Sequence, residues 1–157
     1  MLVIKSAKQM KFSNSIEYAI HGLIFLAGVP AGKATQITIV AKAIVVPEAY
    51  LRKVFQQMAR GGLLGSLRGA RGGFYLGREP ENISLKDVVE VIEGSLPLYD
   101  CLKDRRSCSI TWDCPVKEAF EQARQKMAEV LDATSIKGLR DNLQDHRQEA
   151  VWLKVIA

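Results

Sequence analysis

Three cysteines lie close together in the second half of this 157-residue chain. Cys101, Cys108 and Cys114 all fall within the segment DCLKDRRSCSITWDCPVK at positions 100–117, among mostly polar and charged neighbours. Thiolates are soft ligands that bind zinc and iron-sulfur clusters, and they also form reversible disulfides. An odd number of clustered cysteines in a cytoplasmic protein favours metal or redox chemistry over structural disulfides. The segment is therefore a candidate metal or redox site.

A second pair of candidate ligands stands near the start of the chain. Glu17 and His21 are four residues apart in the segment KFSNSIEYAIHGLIFLAGVP, whose apolar spacing predicts a helix. Residues four apart lie on one face of a helix, so both side chains could bind one metal ion. The alternative is that neither residue binds a metal. Glu17 would then be a surface acid favoured by the helix dipole near the start of the helix, and His21 a half-buried histidine.

The charge of the chain is divided unevenly between its two halves. Residues 1–78 contain eleven lysines and arginines but only two acids, Glu17 and Glu48, whereas residues 79–157 contain eleven basic and fifteen acidic residues. A strongly basic half favours binding to a polyanion such as double-stranded DNA. A solubilising basic surface is the alternative.

The basic half also shows the pattern of a winged helix-turn-helix. A short helical pattern within residues 33–46 precedes PEAYLRKVFQQMARGG, which begins with Pro47, ends in two glycines and presents Tyr50 with four other apolar residues as a core face. Two short apolar runs around RGARGG at positions 63–76 then predict a hairpin, or wing. The predicted DNA contacts are Arg52, Lys53, Gln56, Gln57 and Arg60 on the second helix, and Arg68 and Arg71 on the wing.

The second half is predicted to be helical. Ser84 and Asp87 form a capping-box pattern before LKDVVEVIEG, and an amphipathic helix is predicted from Pro115 to about Ala133. That long helix is a candidate dimer helix, with packing against its own domain as the alternative. We expect a mainly α fold divided into an N-terminal extension (1–9), a winged helix-turn-helix domain (10–80), a cluster-binding loop and dimerisation region (81–143) and a tail (144–157). No segment is apolar and long enough for a membrane span, and we expect a cytoplasmic protein.

Several segments together resemble one known family. They are MKFSNSIEYAIHGL, YLRKVFQQMARGGLL, SLRGARGGFYL, ISLKDVVEVIEG and the three-cysteine loop before a long helix, and in this order they resemble the Rrf2 family of bacterial winged-helix regulators over about residues 10–143. The resemblance implies a homodimer that binds a palindromic promoter site, with the helix after Pro47 as recognition helix and the wing in the minor groove. It also implies an iron-sulfur cluster in the cysteine loop whose state alters DNA binding.

The chain departs from part of the family in its ligands. Many members place a histidine three residues after the last cysteine, where this chain has Lys117, which cannot ligate while protonated. The chain instead resembles the RsrR branch, in which a glutamate and a histidine of the first helix bind one iron of a 2Fe-2S cluster across the dimer. That likeness implies Glu17 and His21 on one iron and Cys108 and Cys114 on the other, with Cys101 as a spare or alternative ligand.

Other functions remain open at this stage. A regulator of the same fold could use its cysteines as thiol switches or bind zinc without a cluster, and a small iron-sulfur electron carrier is a further alternative that leaves the basic helix and wing unexplained. We expect no enzyme, because no serine, histidine and acid set is evident and the only histidines are His21 and His146. The glycine-rich segments do not match nucleotide-binding fingerprints.

Overall fold

The structure, a computed structural model, describes residues 12–69, 72–94 and 114–145. Over these ranges it is mainly helical, with a two-stranded antiparallel sheet. The elements are α1 (Asn14–Ala27), α2 (Ile37–Ala43), α3 (Glu48–Arg60), β1 (Leu64–Leu67), β2 (Gly73–Leu76), a 3-10 turn (Pro80–Asn82), α4 (Leu85–Glu93), α5 (Pro115–Asp132) and α6 (Ile136–Asp145). The expected fold class, a mainly α winged helix-turn-helix, is confirmed.

The predicted helix-turn-helix is formed by α2 and α3. Pro47 directly precedes α3, where its fixed φ suits a helix entry, and Gly62 follows the helix with a φ of 74°. The turn between the two helices is closed by a 3.0 Å hydrogen bond from the Val46 amide to the Ala41 carbonyl. Val45 occupies this turn with a φ of 56°, which is unusual for a β-branched residue, and its side chain is exposed.

The wing is fastened at its root to the segment that precedes α2. Strands β1 and β2 pair in the register Leu64↔Leu76 to Leu67↔Gly73. The Thr35 and Phe74 backbones exchange two further hydrogen bonds of 2.8 and 2.9 Å. A Cβ atom on Gly73 would collide with the Thr35 carbonyl, so this close pairing requires glycine. The root of the wing is therefore tied by backbone hydrogen bonds to the segment that leads into α2.

One hydrophobic core joins helices from both halves of the chain. Leu23, Leu51 and Phe55 are fully buried in it, and so are Ile83 and Ile136 from the second half. The entries of α4 and α6 are joined through the Leu85 amide, which donates to the Thr134 carbonyl, and the Ile136 amide, which donates to the Ile83 carbonyl, both at 2.9 Å. Helices α4 and α6 thus form part of the same packed unit as the helix-turn-helix.

The structure confirms one local prediction, at the start of α4, and contradicts another, on α3. The predicted capping box is confirmed, since Ser84 and Asp87 each accept a hydrogen bond from the other residue's backbone amide. The prediction that Tyr50 belongs to the core face of α3 is wrong, because its side chain is 40% exposed. Tyr50 lies in the first turn of α3 beside α1, where its ring packs edge-on against Tyr18 and its hydroxyl lies 2.8 Å from the Ser15 hydroxyl.

The long helix α5 lies outside the core. None of its residues is buried, and its contacts with the body of the protein are mainly with α4, including an ion pair between Lys86 and Asp132 at 3.8 Å. Val116, Phe120 and Val130 on its apolar stripe are exposed. No helix within the described ranges is long and apolar enough to cross a membrane.

We predict that Gly22→Ala destabilises the fold, because a Cβ atom there would lie 2.5 Å from Cε1 of Phe55. The Phe55 ring is fully buried and packs edge-on against Phe74 at a centroid distance of 5.2 Å, so it has no room to withdraw. Overpacking of this kind costs about 1–3 kcal/mol of unfolding free energy, measurable by urea denaturation.

Gly138→Ala in α6 is the matched control. Its added Cβ would meet only the Ser135 hydroxyl at 3.4 Å, an ordinary contact, so replacement of a helical glycine should stabilise by about 0.5–1 kcal/mol. Equal effects of the two substitutions would contradict a close packing contact between α1 and α3.

Candidate nucleic-acid interface and candidate metal ligands

Helix α3 separates its apolar and polar residues onto two faces. Leu51, Val54, Phe55 and Met58 are buried against the core. The exposed residues on the helix include four that the sequence assigned to DNA, namely Arg52, Lys53, Gln56 and Arg60. An exposed helix face of basic and amide side chains, with its opposite face anchored in a core, is suited to contact base edges and phosphates in a major groove.

Gln57 has a different environment from the other predicted contacts on α3. Its side-chain amide nitrogen donates to the Val91 carbonyl at 2.9 Å and to the Ile92 carbonyl at 3.1 Å, near the C-terminus of α4. These carbonyls belong to the last turn of a helix, where backbone acceptors lack partners within the helix. Gln57 therefore joins α3 to α4, a role that its sequence position did not reveal.

Glu48 is a functional candidate that the sequence did not predict. Its Oε2 atom accepts a 2.9 Å hydrogen bond from the Thr38 hydroxyl on α2, and its Oε1 atom accepts a 2.5 Å bond from Nη2 of Arg52. The Thr38 hydrogen bond, followed by the Arg52 hydrogen bond, lowers the pKa of Glu48. The carboxylate is therefore charged at neutral pH and links the two helices of the helix-turn-helix. The four-residue spacing of Glu48 and Arg52 was the available sequence signal.

The wing carries the remaining predicted DNA contacts. Arg68 directly follows β1 and is exposed at the outer end of the hairpin. Arg71 lies outside the described residues. Farther from the tip, Arg78 follows β2 and is 3.6 Å from the carboxylate of Asp87, so it supports the junction with α4.

Glu17 and His21 lie on one face of α1, as their spacing predicts. They border an open groove of about 500 Å³ at the N-terminal half of the helix. Burial lowers the pKa of His21, and the nearby Glu17 carboxylate offsets this effect only in part. The imidazole is therefore neutral at pH 7, the form that binds a metal ion.

The cysteine ligands are only partly within the described ranges. Cys114 is partly exposed and immediately precedes α5. Cys101 and Cys108 lie outside the described residues, and within the described ranges no three histidine, cysteine or acidic side chains gather at one point. The part of one chain that the structure describes thus brings together two candidate ligands, Glu17 and His21. Lys117, in the first turn of α5, is exposed.

Comparisons with known proteins identify the family. Residues 12–142 match the model of the Rrf2 family, described as iron-dependent transcriptional regulators. A putative helix-turn-helix transcriptional regulator of Aquifex aeolicus is 29% identical over 139 residues, spanning 87% of this chain and 96% of that protein. The structure of CymR, the global cysteine regulator of B. subtilis, has a TM-score of 0.69 and 30% identity, covering 85% of this chain and 98% of CymR. T. potens IscR shares the fold with a TM-score of 0.69 at 24% identity, covering 88% of this chain and 91% of IscR. The chain belongs to the Rrf2 family of DNA-binding, winged-helix transcriptional regulators.

Proposed function

We propose that this regulator is a homodimer that binds a palindromic promoter site and senses redox or iron-sulfur status through a 2Fe-2S cluster. The observation that carries the sensing role is the pair Glu17 and His21, which share one face of α1 beside an open groove, with the imidazole held neutral by burial. A carboxylate and a neutral imidazole four residues apart on a helix have the chemistry and spacing to bind one iron.

Homodimerisation is supported by the apolar stripe of α5. Val116 is 51% exposed and Val130 is 66% exposed, and they stand fourteen positions apart, with Ala123 midway between them. A period of seven residues places all three on one side of the helix, which spans about 27 Å over its 18 residues. Such a stripe on a helix without buried residues fits the same helix of a second copy.

The cluster ligands would come from two subunits. Glu17 and His21 of one subunit would hold one iron, and Cys108 and Cys114 of the other subunit would hold the second iron, with Cys101 as a spare or alternative ligand. The donor set fits, since thiolates suit iron-sulfur clusters and imidazole and carboxylate suit iron. A bound 2Fe-2S cluster would supply one-electron redox chemistry, and the residues of this chain would set its position beside α1.

A cluster-free thiol switch is the second candidate. It is favoured by the 30% identity to CymR, a cysteine regulator, and by the likeness to S. aureus CymR, whose structure is known in an oxidised form, at 27% identity and a TM-score of 0.64. In this case Cys101, Cys108 and Cys114 would respond through reversible disulfides or would bind zinc.

The first prediction for this function is that anaerobically purified protein is coloured and contains iron and acid-labile sulfide in equal amounts. His21→Ala, Glu17→Ala, Cys108→Ala and Cys114→Ala should each lower the iron content and the visible absorbance, because each removes a ligand. Cys101→Ala and the control His146→Ala should retain the cluster. Colourless protein that contains zinc or forms a reversible disulfide would instead support the second candidate.

The second prediction separates the two glutamines of α3. Gln56→Ala should weaken binding to a promoter fragment by about 5- to 150-fold, as expected for loss of a base contact worth about 1–3 kcal/mol, without changing stability. Gln57→Ala should lower the unfolding free energy by about 1 kcal/mol, because it removes hydrogen bonds to α4. Fluorescence anisotropy and urea denaturation would measure the two effects. Loss of stability in the Gln56 variant would contradict its assignment to DNA.

The third prediction concerns α5. Val130→Glu should shift the protein from dimer toward monomer in sedimentation velocity at micromolar concentration, because it places a charge in the proposed apolar interface. Gln122→Glu introduces the same charge at an exposed polar position of the same helix and should leave the dimer intact. A dimer of unchanged affinity in the Val130 variant would exclude this stripe as the interface.

A further inference from the structure

Glu48 is a negative charge at the start of the helix that carries the DNA-binding face. It is the only acid between residues 18 and 78, a segment that contains eight lysines and arginines. A carboxylate near DNA is repelled by the phosphates and lowers affinity for any sequence. Glu48 therefore does not contribute to DNA binding through its charge, and its position must serve another role.

The helix dipole explains only part of this arrangement. An acid at the first residue of α3 is favoured by the partial positive charge of the helix N-terminus. That effect requires no particular side-chain partner. In this structure each carboxylate oxygen has a separate partner, the Thr38 hydroxyl on α2 for Oε2 and the Arg52 guanidinium on α3 for Oε1.

Thr38 and Arg52 each donate a hydrogen bond to the Glu48 carboxylate, so the three side chains are linked in series. Thr38 fixes the carboxylate from the side of α2, and the carboxylate in turn holds Nη2 of Arg52, one turn further along α3. The Arg52 side chain is 49% exposed, and the donors that Glu48 does not use are at Nε, Nη1 and the second hydrogen of Nη2. A guanidinium held at one nitrogen by a carboxylate is restricted in where its remaining donors can reach, whereas an unheld arginine can turn to the nearest phosphate.

We propose that Glu48 is a positioning residue for sequence readout: it holds Arg52 so that the guanidinium meets a base edge in the major groove instead of a phosphate. The natural acceptor is a guanine, which offers O6 and N7 to a bidentate arginine. This inference rests on the proposed use of α3 as the recognition helix. Glu48 thereby lowers affinity for DNA in general and raises the preference for one sequence.

The experiment first selects bound sites from a random double-stranded DNA library with the wild-type dimer. The dissociation constants for a selected duplex and for a shuffled duplex are then measured over a range of salt concentrations. If the wild type enriches no sequence, the proposed DNA readout by α3 fails before Glu48 is tested. The inference about Glu48 is tested separately with Glu48→Gln, which keeps the size of the side chain but replaces two charged acceptor oxygens with one neutral oxygen.

Glu48→Gln should bind the shuffled duplex more tightly than the wild type does. The preference, defined as the ratio of the dissociation constants for the shuffled and the selected duplex, should fall about tenfold. Its binding should also depend more steeply on salt, by about one counterion, because the released Arg52 can contact a phosphate. Glu90→Gln, at an exposed position on α4, makes the same charge change and should retain the preference. Thr38→Val should lose part of the preference, because it removes the bond that fixes the carboxylate.

Arg52→Ala completes the test. The Arg52→Ala protein should lose at least as much of the preference for the selected duplex as Glu48→Gln does, and adding Glu48→Gln to it should cause no further loss, since Glu48 acts through the Arg52 guanidinium. An unchanged preference in Glu48→Gln would overturn the inference. A second outcome would also overturn it. If the Arg52→Ala protein and the Arg52→Ala, Glu48→Gln double variant selected different bases at one position of the site, Glu48 would contact that base directly. Thermal melting of each variant confirms that the compared proteins are folded.

Discussion

The packing of the Phe55 ring is the constraint on which the DNA-binding half of the structure depends. Phe55 is fully buried on the inner face of α3, it lies against α1 where Gly22 leaves room for it, and it meets Phe74 of the wing edge-on at 5.2 Å. One side chain thus joins α3, α1 and the wing. Because protein interiors are densely packed, these three elements respond together to a displacement of any one of them.

The arrangement of charges follows from the same packing. The buried face of α3 is apolar, so its basic and amide residues are confined to the opposite side, where Lys53 and Gln56 are exposed. The side chains at the edges of that surface are partly fixed from within the protein, Arg52 by Glu48 and Gln57 by the end of α4. The contacts within the protein thus limit the directions in which the remaining donors of Arg52 and Gln57 can point.

Much of the fold could be predicted because its signals are local. Pro47 marks the start of α3, the Ser84 and Asp87 spacing marks the start of α4, and glycines within residues 61–77 mark the wing. What the sequence could not provide is the relation between separate elements. Nothing in the segment around Tyr50 shows that its ring meets Tyr18 and its hydroxyl meets Ser15, both on α1, and the link from Gln57 to α4 spans more than thirty residues.

For the candidate ligands, spacing alone placed Glu17 and His21 on one face of a helix, but the lowered pKa of His21 depends on burial by the folded protein.

The position of the candidate ligands on α1 determines what they could influence. His21 immediately precedes Gly22, whose missing side chain admits the Phe55 ring, so a group bound at His21 would act within one residue of the contact between α1 and α3. The N-terminal end of α1 is also joined to the start of α3 by the hydroxyls of Ser15 and Tyr50, 2.8 Å apart, and to α4 by the Ser13 amide, which donates to Glu93 at 2.9 Å. A rotation of α1 that repositioned His21 would have to break these polar contacts or carry α3 with it. Since an exposed hydrogen bond contributes about 0.5–1.5 kcal/mol whereas the Phe55 contact is part of a packed core, the second outcome is favoured. A group bound at His21 would therefore act on α3 through the close contact between Gly22 and the Phe55 ring.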